Sequence, residues 1–217
     1  SSKPTIKLQE QDVFDKILQT CPTNIEIEEF TSYFPITSDN LLKKYDCVNG
    51  MNPNYSGDLD PKLTIYHLLR IMKATHFRSK LPWTEKNLYD WFKQNVKGIH
   101  INSNAELSFC CNPTQVINLK QAVLQDKNKN KWINLHSGTG MMDLLILAIH
   151  EARHVDIPHT CDYKDKNLEE IGAWGVQYYL AMYIAAELPE NYQSQYARDS
   201  ALNSAQDIKE TRFCDYP

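Results

Sequence analysis

The most apolar run of the chain, Met141 to Ile149, leads directly into His150-Glu151-Ala152-Arg153-His154. A run of this kind reads as a helix buried nearly all round at its start, so the rest of the fold has to pack around it. Gly138-Thr139-Gly140 ahead of it forms a turn, with Thr139 the expected N-cap. Asp143 is a first-turn acid suited to the helix dipole. The helix is expected to run from Met141 to about Val155.

Positions i and i+4 share a helix face one turn apart, so His150 and His154 present two imidazoles to one point. That spacing suits two ligand positions of a tetrahedral zinc ion. Glu151 projects near the same face, where a carboxylate can act as a general base on a water beside a Lewis acid. Two histidines and a glutamate late in an apolar helix are costly to bury without partners. A third ligand is therefore expected downstream: His159, Glu169, Glu170 and, as a softer donor, Cys161 are the candidates. Asp156 or Asp143 is a candidate acceptor for the second ring nitrogen of a ligand histidine. Arg153 is a candidate ion-pair partner of Glu169 or Asp156, and Tyr178, Tyr179 and Tyr183 are candidate phenols near an open metal position. His67, His76, His100 and His136 have no motif partners and are read as structural.

The segment His150 to His154 resembles the defining motif of the zincin metallopeptidases, and Glu170-Ile171-Gly172-Ala173 is similar to the second pattern of the gluzincin branch. The metzincin pattern fits less well, since His159 arrives one residue early and the glycine is absent. The resemblance covers about Asp143 to Glu187. It implies zinc as cofactor, His150, His154 and Glu170 as metal ligands, Glu151 as catalytic base, and hydrolysis of a peptide or protein substrate. The alternative is a zincin relative without peptidase activity that serves as a binding module. In such enzymes an edge strand ahead of the metal helix pairs with extended substrate, and Ile99 to Phe109 is the candidate here. Glu170 also has a physical argument. The polar connection Tyr163 to Asn167 lets the chain reverse, so a helix from about Leu168 to Glu187 would bring its first turn close to His154, with Gly172 and Gly175 permitting close approach.

Elsewhere, Asp60-Pro61 starts one helix, and Thr84 is expected to cap another that runs to about Val96. Gly98 to Ile101 and Ala105 to Phe109 read as a strand pair, Trp132 to Leu135 as a short strand, and Asn191 to Lys209 as a polar closing helix. The fold class is therefore α+β, mostly helical with a small sheet, and zincin-like. At 217 residues a single domain over 1–217 is expected, with an N-terminal part (1–125) and a metal-binding part (132–217) joined by the solvated stretch Asp126 to Lys131. The net charge of −4 and the absence of a long basic run argue against nucleic acid, and no apolar stretch reaches membrane-spanning length. A monomer is expected. Six scattered cysteines without a C-x-x-C pair, together with the sequon Asn54-Tyr55-Ser56, point to disulfides and a secreted protein.

Overall fold

The structure is a computed structural model that describes residues 12–52, 54–104 and 114–215. It is α+β and about half helical: α1 (Val13–Leu18), α2 (Asn24–Tyr33), α3 (Val48–Met51), α4 (Pro61–Ala74), α5 (Leu88–Asn95), α6 (Gln121–Gln125), α7 (Met141–Arg153), α8 (Ala173–Ala186) and α9 (Gln195–Thr211). One hydrophobic core cluster draws on residues from Phe14 to Ala205, so both expected parts of the chain contribute to it. The apolar run forms α7 as expected, with Leu145, Ala148, Ile149 and Ala152 inaccessible to solvent. Its cap differs from expectation. Gly140, not Thr139, is the N-cap, and its N–H donates to Asp143 Oδ2 at 3.0 Å. A Cβ at position 140 would lie 2.5 Å from the Trp132 carbonyl oxygen, so close backbone packing requires the glycine.

Local signals explain several boundaries. Asp60 accepts from the Lys62 N–H at 2.8 Å and Pro61 opens α4. Thr23 and Glu26 form a reciprocal capping box on α2. Helix α5 begins one turn later than expected, because Asn87 accepts from the Asp90 N–H while Thr84 is occupied by the Lys86 N–H. Helix α8 begins at Ala173 rather than near Leu168, and Trp132 to Leu135 is a bend and turn rather than a strand. The stretch expected to be solvated contains a short 3-10 helix, Lys127–Asn130, with Lys129 buried beside Asp126.

The sheet departs most from expectation. Strands β1 (Ile36–Ser38), β2 (Gly98–Asn102) and β3 (Val116–Lys120) run parallel in the order β1-β2-β3. Ile36 pairs with Ile99 and Ile99 with Ile117, and the inward residues Ile99, Ile101, Ile117 and Leu119 are fully buried. Gly98 to Asn102 is thus a central strand with both edges occupied, and it has no free edge to offer a substrate. Ala105 to Phe109, the expected hairpin partner, lies outside the described residues.

Arg70 on α4 ties the N-terminal helices together. Its Nε donates to Glu26 Oε2 at 3.0 Å, and its Nη1 donates to the carbonyls of Ile17 and Thr20, both at 2.8 Å. His67, one turn away, is buried and receives a 3.3 Å contact from Arg70 Nη1 on its Nδ1, while its Nε2 has no hydrogen-bond partner. Burial, reinforced by the Arg70 charge, holds its pKa down from 6.5 to about 3. A pKa lower in the folded than in the unfolded state means that the unfolded chain takes up the proton first. The contribution of neutral His67 is therefore complete above pH 6.5 and is lost as pH falls toward 3. Urea unfolding at about pH 7 and about pH 4 should show wild type losing on the order of a few kcal/mol more than His67→Leu. Parallel losses in the two proteins would assign the acid sensitivity to other groups.

Candidate metal centre

Helix α7 carries His150 and Glu151 in its last turn, both buried, and His154 as its C-cap residue. The spacing of the histidines has the expected result: their Nε2 atoms face each other at 3.2 Å. Two nitrogens sharing a tetrahedral zinc at a Zn–N distance of about 2.05 Å sit about 3.3 Å apart, so the pair already has the span of one edge of such a site. Beyond His154 the chain turns through Asp156, Ile157 and Pro158 and returns His159 to the pair. The ring centroid of His159 is 4.4 Å from that of His154 and 5.6 Å from that of His150. One ligand atom from each of His150, His154 and His159 lies within 4.8 Å of the others, a group that could hold a metal ion. Among the described residues no other His, Cys, Asp or Glu joins it.

Each ring is held differently. His154 Nδ1 lies 3.0 Å from the Ile157 carbonyl oxygen, so it donates there and leaves Nε2 as the ligand atom. His159 Nδ1 lies 3.0 Å from Oδ1 of Asp165, a carboxylate with 0% exposure, which likewise frees Nε2. His150 Nδ1 is buried and makes no well-formed hydrogen bond. Gln177 of α8 offers that ring a looser polar contact that acts to raise its pKa. Burial dominates, and with His154 and His159 alongside it holds the His150 pKa down at about 3. Burial also lowers the pKa of His154, against the pull of the Ile157 carbonyl. Both rings are thus neutral at neutral pH, the form in which imidazole binds metal. Three imidazole nitrogens are a donor set that a metal ion such as zinc accepts.

Trp174 near the start of α8 closes one side. Its ring lies 4.4 Å from that of His150, edge to face, and 6.1 Å from that of His159, stacked, while the Arg212 guanidinium sits over the Trp174 ring, 4.4 Å from its centroid. The loop that carries His159 is fixed to a distant part of the chain. Cys161 and Cys214 form a disulfide, the Asp165 N–H donates to the Arg212 carbonyl, and the Cys214 N–H donates to the Asp165 carbonyl.

Glu170, expected as the third ligand, is used elsewhere. Its Oε1 accepts from the Thr160 hydroxyl and from the Lys166 N–H, and it precedes α8 instead of standing in its first turn. Glu169 is exposed in the same turn. The place expected for Glu170 is occupied by His159. The ring acceptors also differ from those expected: Asp143 serves the helix cap, and Ile157 and Asp165 take the role considered for Asp156. Arg153 donates from Nε to the Ile171 carbonyl at 2.9 Å in place of an ion pair. Tyr183 donates to the Lys80 carbonyl, and the rings of Tyr178 and Tyr179 meet edge to face with centroids 5.1 Å apart. Asp165 and Trp174 carry no local motif that would mark them. A cavity of about 680 Å3 lined in part by Lys43, Asp46, Tyr55 and Gln121 shares no residue with the histidine group.

Two disulfides, Cys21–Cys47 and Cys161–Cys214, join four of the cysteines; Cys110 and Cys111 lie outside the described residues. No helix among the described residues is long and apolar enough to cross a membrane. Compared with known protein families, curated proteins and solved structures, the chain matches none.

Proposed function

We propose that this chain is a zinc-dependent hydrolase of the zincin kind, a metallopeptidase in which His150, His154 and His159 hold the ion and Glu151 is the general base. The observation that carries the reading is the convergence of three imidazoles with no fourth donor beside them among the described residues. Structural zinc sites are closed by four protein ligands, whereas catalytic ones keep a position open. A zinc ion held by His150, His154 and His159 would supply Lewis acidity, to polarise a carbonyl and to make water a nucleophile near neutral pH. Glu151 accepts the proton of that water as oxygen adds to the carbonyl carbon. It then delivers the proton to the departing nitrogen as the C–N bond breaks. The low exposure of Glu151 limits loss of that proton to bulk solvent. We take the substrate to be an extended peptide or protein segment, and we place the protein in an oxidising, extracellular setting on the strength of its two disulfides.

Elemental mass spectrometry after zinc loading and removal of excess metal tests the ligand set. We expect about one zinc per chain, retained in Glu170→Ala and weakened by about a hundredfold or more in His159→Ala, since a catalytic site has three protein ligands to share the binding energy. Zinc held equally well without His159 would sink this ligand set. The loaded protein should cleave unfolded casein and stop when zinc is chelated. Tight zinc binding with no peptide cleavage would instead support a metal-binding module without peptidase activity.

A further inference from the structure

We propose that Asp165 is the positioning residue of this centre, the group that fixes which nitrogen of His159 faces the other two rings. The inference rests on reading the three histidines as ligands, but its central observation is independent of metal. The Asp165 side chain is enclosed by donors. Oδ1 is 3.0 Å from His159 Nδ1, and Oδ2 accepts from the N–H groups of Trp174 at 2.8 Å and Gly175 at 3.2 Å. The second pair are first-turn amides of α8, so one carboxylate orients a ring and caps a helix at once.

The surrounding backbone is shaped around this carboxylate. A Cβ on Gly172 would fall 2.6 Å from Oδ2, so the chain passes the carboxylate at a distance open to glycine alone. The preceding residue, Ile171, has φ +45°, a strained value for a β-branched side chain. Its carbonyl is held by Arg153 Nε, from the helix that carries His150 and His154. Asp165 itself is gripped through its own backbone by Arg212 and Cys214.

The chemistry follows from donor and acceptor counting. An ionised carboxylate only accepts, so His159 Nδ1 must carry the proton and Nε2 must present a lone pair to the cluster. An amide of the same size cannot do the same. If its oxygen keeps the α8 amides, its NH2 group faces His159 Nδ1, which must then accept, and the ring proton moves to Nε2. Asp165→Asn therefore exchanges the tautomer and blocks the ligand atom while filling the same space.

The test uses the full chain with its disulfides intact and 15N-labelled histidine. Long-range proton–nitrogen NMR of the metal-free protein at about pH 8.5, well above the ordinary imidazole pKa, reads the His159 tautomer directly. We expect Nδ1–H in wild type and Nε2–H in Asp165→Asn. Zinc affinity, measured by competition with a chromophoric chelator, should fall by about 10- to 100-fold in the variant. Gly172→Ala, which keeps the carboxylate but crowds it, should weaken zinc binding as well and serves if Asp165→Asn does not fold. An unchanged tautomer, or zinc affinity within about threefold of wild type in both variants, would overturn the proposal and leave Asp165 as a helix cap alone. A tautomer that exchanges in a protein with no zinc affinity would uphold the positioning role and defeat the metal-site reading, so the two ideas fail separately.

Discussion

Glu151→Gln is expected to keep its zinc and to lose peptide turnover by about 10^2- to 10^4-fold, the usual worth of a positioned general base. Glutamine matches glutamate in size and hydrogen-bonding reach, so a buried position on α7 should accept it with little disturbance of His150 and His154. The amide has no useful basicity, and the loss should fall on kcat more than on KM, because the proton transfer is needed only as the transition state is approached. Comparing kcat for one cleavable peptide in wild type and variant, at equal zinc content, decides the matter. Equal rates would remove Glu151 from the mechanism. Loss of zinc together with activity would show that the residue supports the ligands instead.

The second large effect is expected from the Cys161–Cys214 disulfide. The two residues are 53 apart, and closing a loop of that length by a crosslink is worth about 4 kcal/mol in the chain-entropy picture. Cys161→Ser with Cys214→Ser should lower the melting temperature by roughly 10 °C for a chain of this size. Cys21–Cys47 spans 26 residues, and its removal should cost only slightly less, about 3.5 kcal/mol. The pairs should differ in zinc affinity. Cys161 lies two residues after His159 and Cys214 holds the backbone of Asp165, whereas Cys21 and Cys47 belong to the segments around α1, α2 and α3. Chelator competition should therefore show weaker zinc binding only in the first double variant. Equal zinc affinity in both would mean that the His159 loop is held without its crosslink.

The contrast between what was legible in the chain and what was not has physical grounds. Helix α7 and the facing of His150 and His154 follow from local periodicity, and α4 was marked by its own cap at Asp60-Pro61. Those signals lie within a few residues of what they control. The parallel sheet has no such signal, because β2 takes its partners from Ile36–Ser38 and Val116–Lys120, and hairpin rules do not apply to pairs so far apart. The alternation Val116-Ile117-Asn118-Leu119 was present to be read as a strand, but nothing in it indicates a parallel neighbour. Glu170 was expected beside the histidine pair because α8 was expected to begin at Leu168, which would have put it in a first turn; the structure groups His159 with the pair instead. The amides of Trp174 and Gly175 are instead capped from Asp165, and the helix starts at Ala173. Which end of the 154–172 loop approaches the histidine pair depends on contacts with residues 212–214, and no spacing rule along the chain contains them.

The crosslink also sets an order of assembly. As the chain is synthesised, α7 with His150 and His154 emerges first, and His159 follows within a few residues. The partner that fastens the His159 loop comes 53 residues after Cys161. The contacts that fasten the His159 loop, this crosslink and the backbone hydrogen bonds of Asp165 with Arg212 and Cys214, therefore cannot form until the chain has been made through Cys214. The placement of His159 is thus tied to residues 212–214, far along the chain from the helix that carries His150.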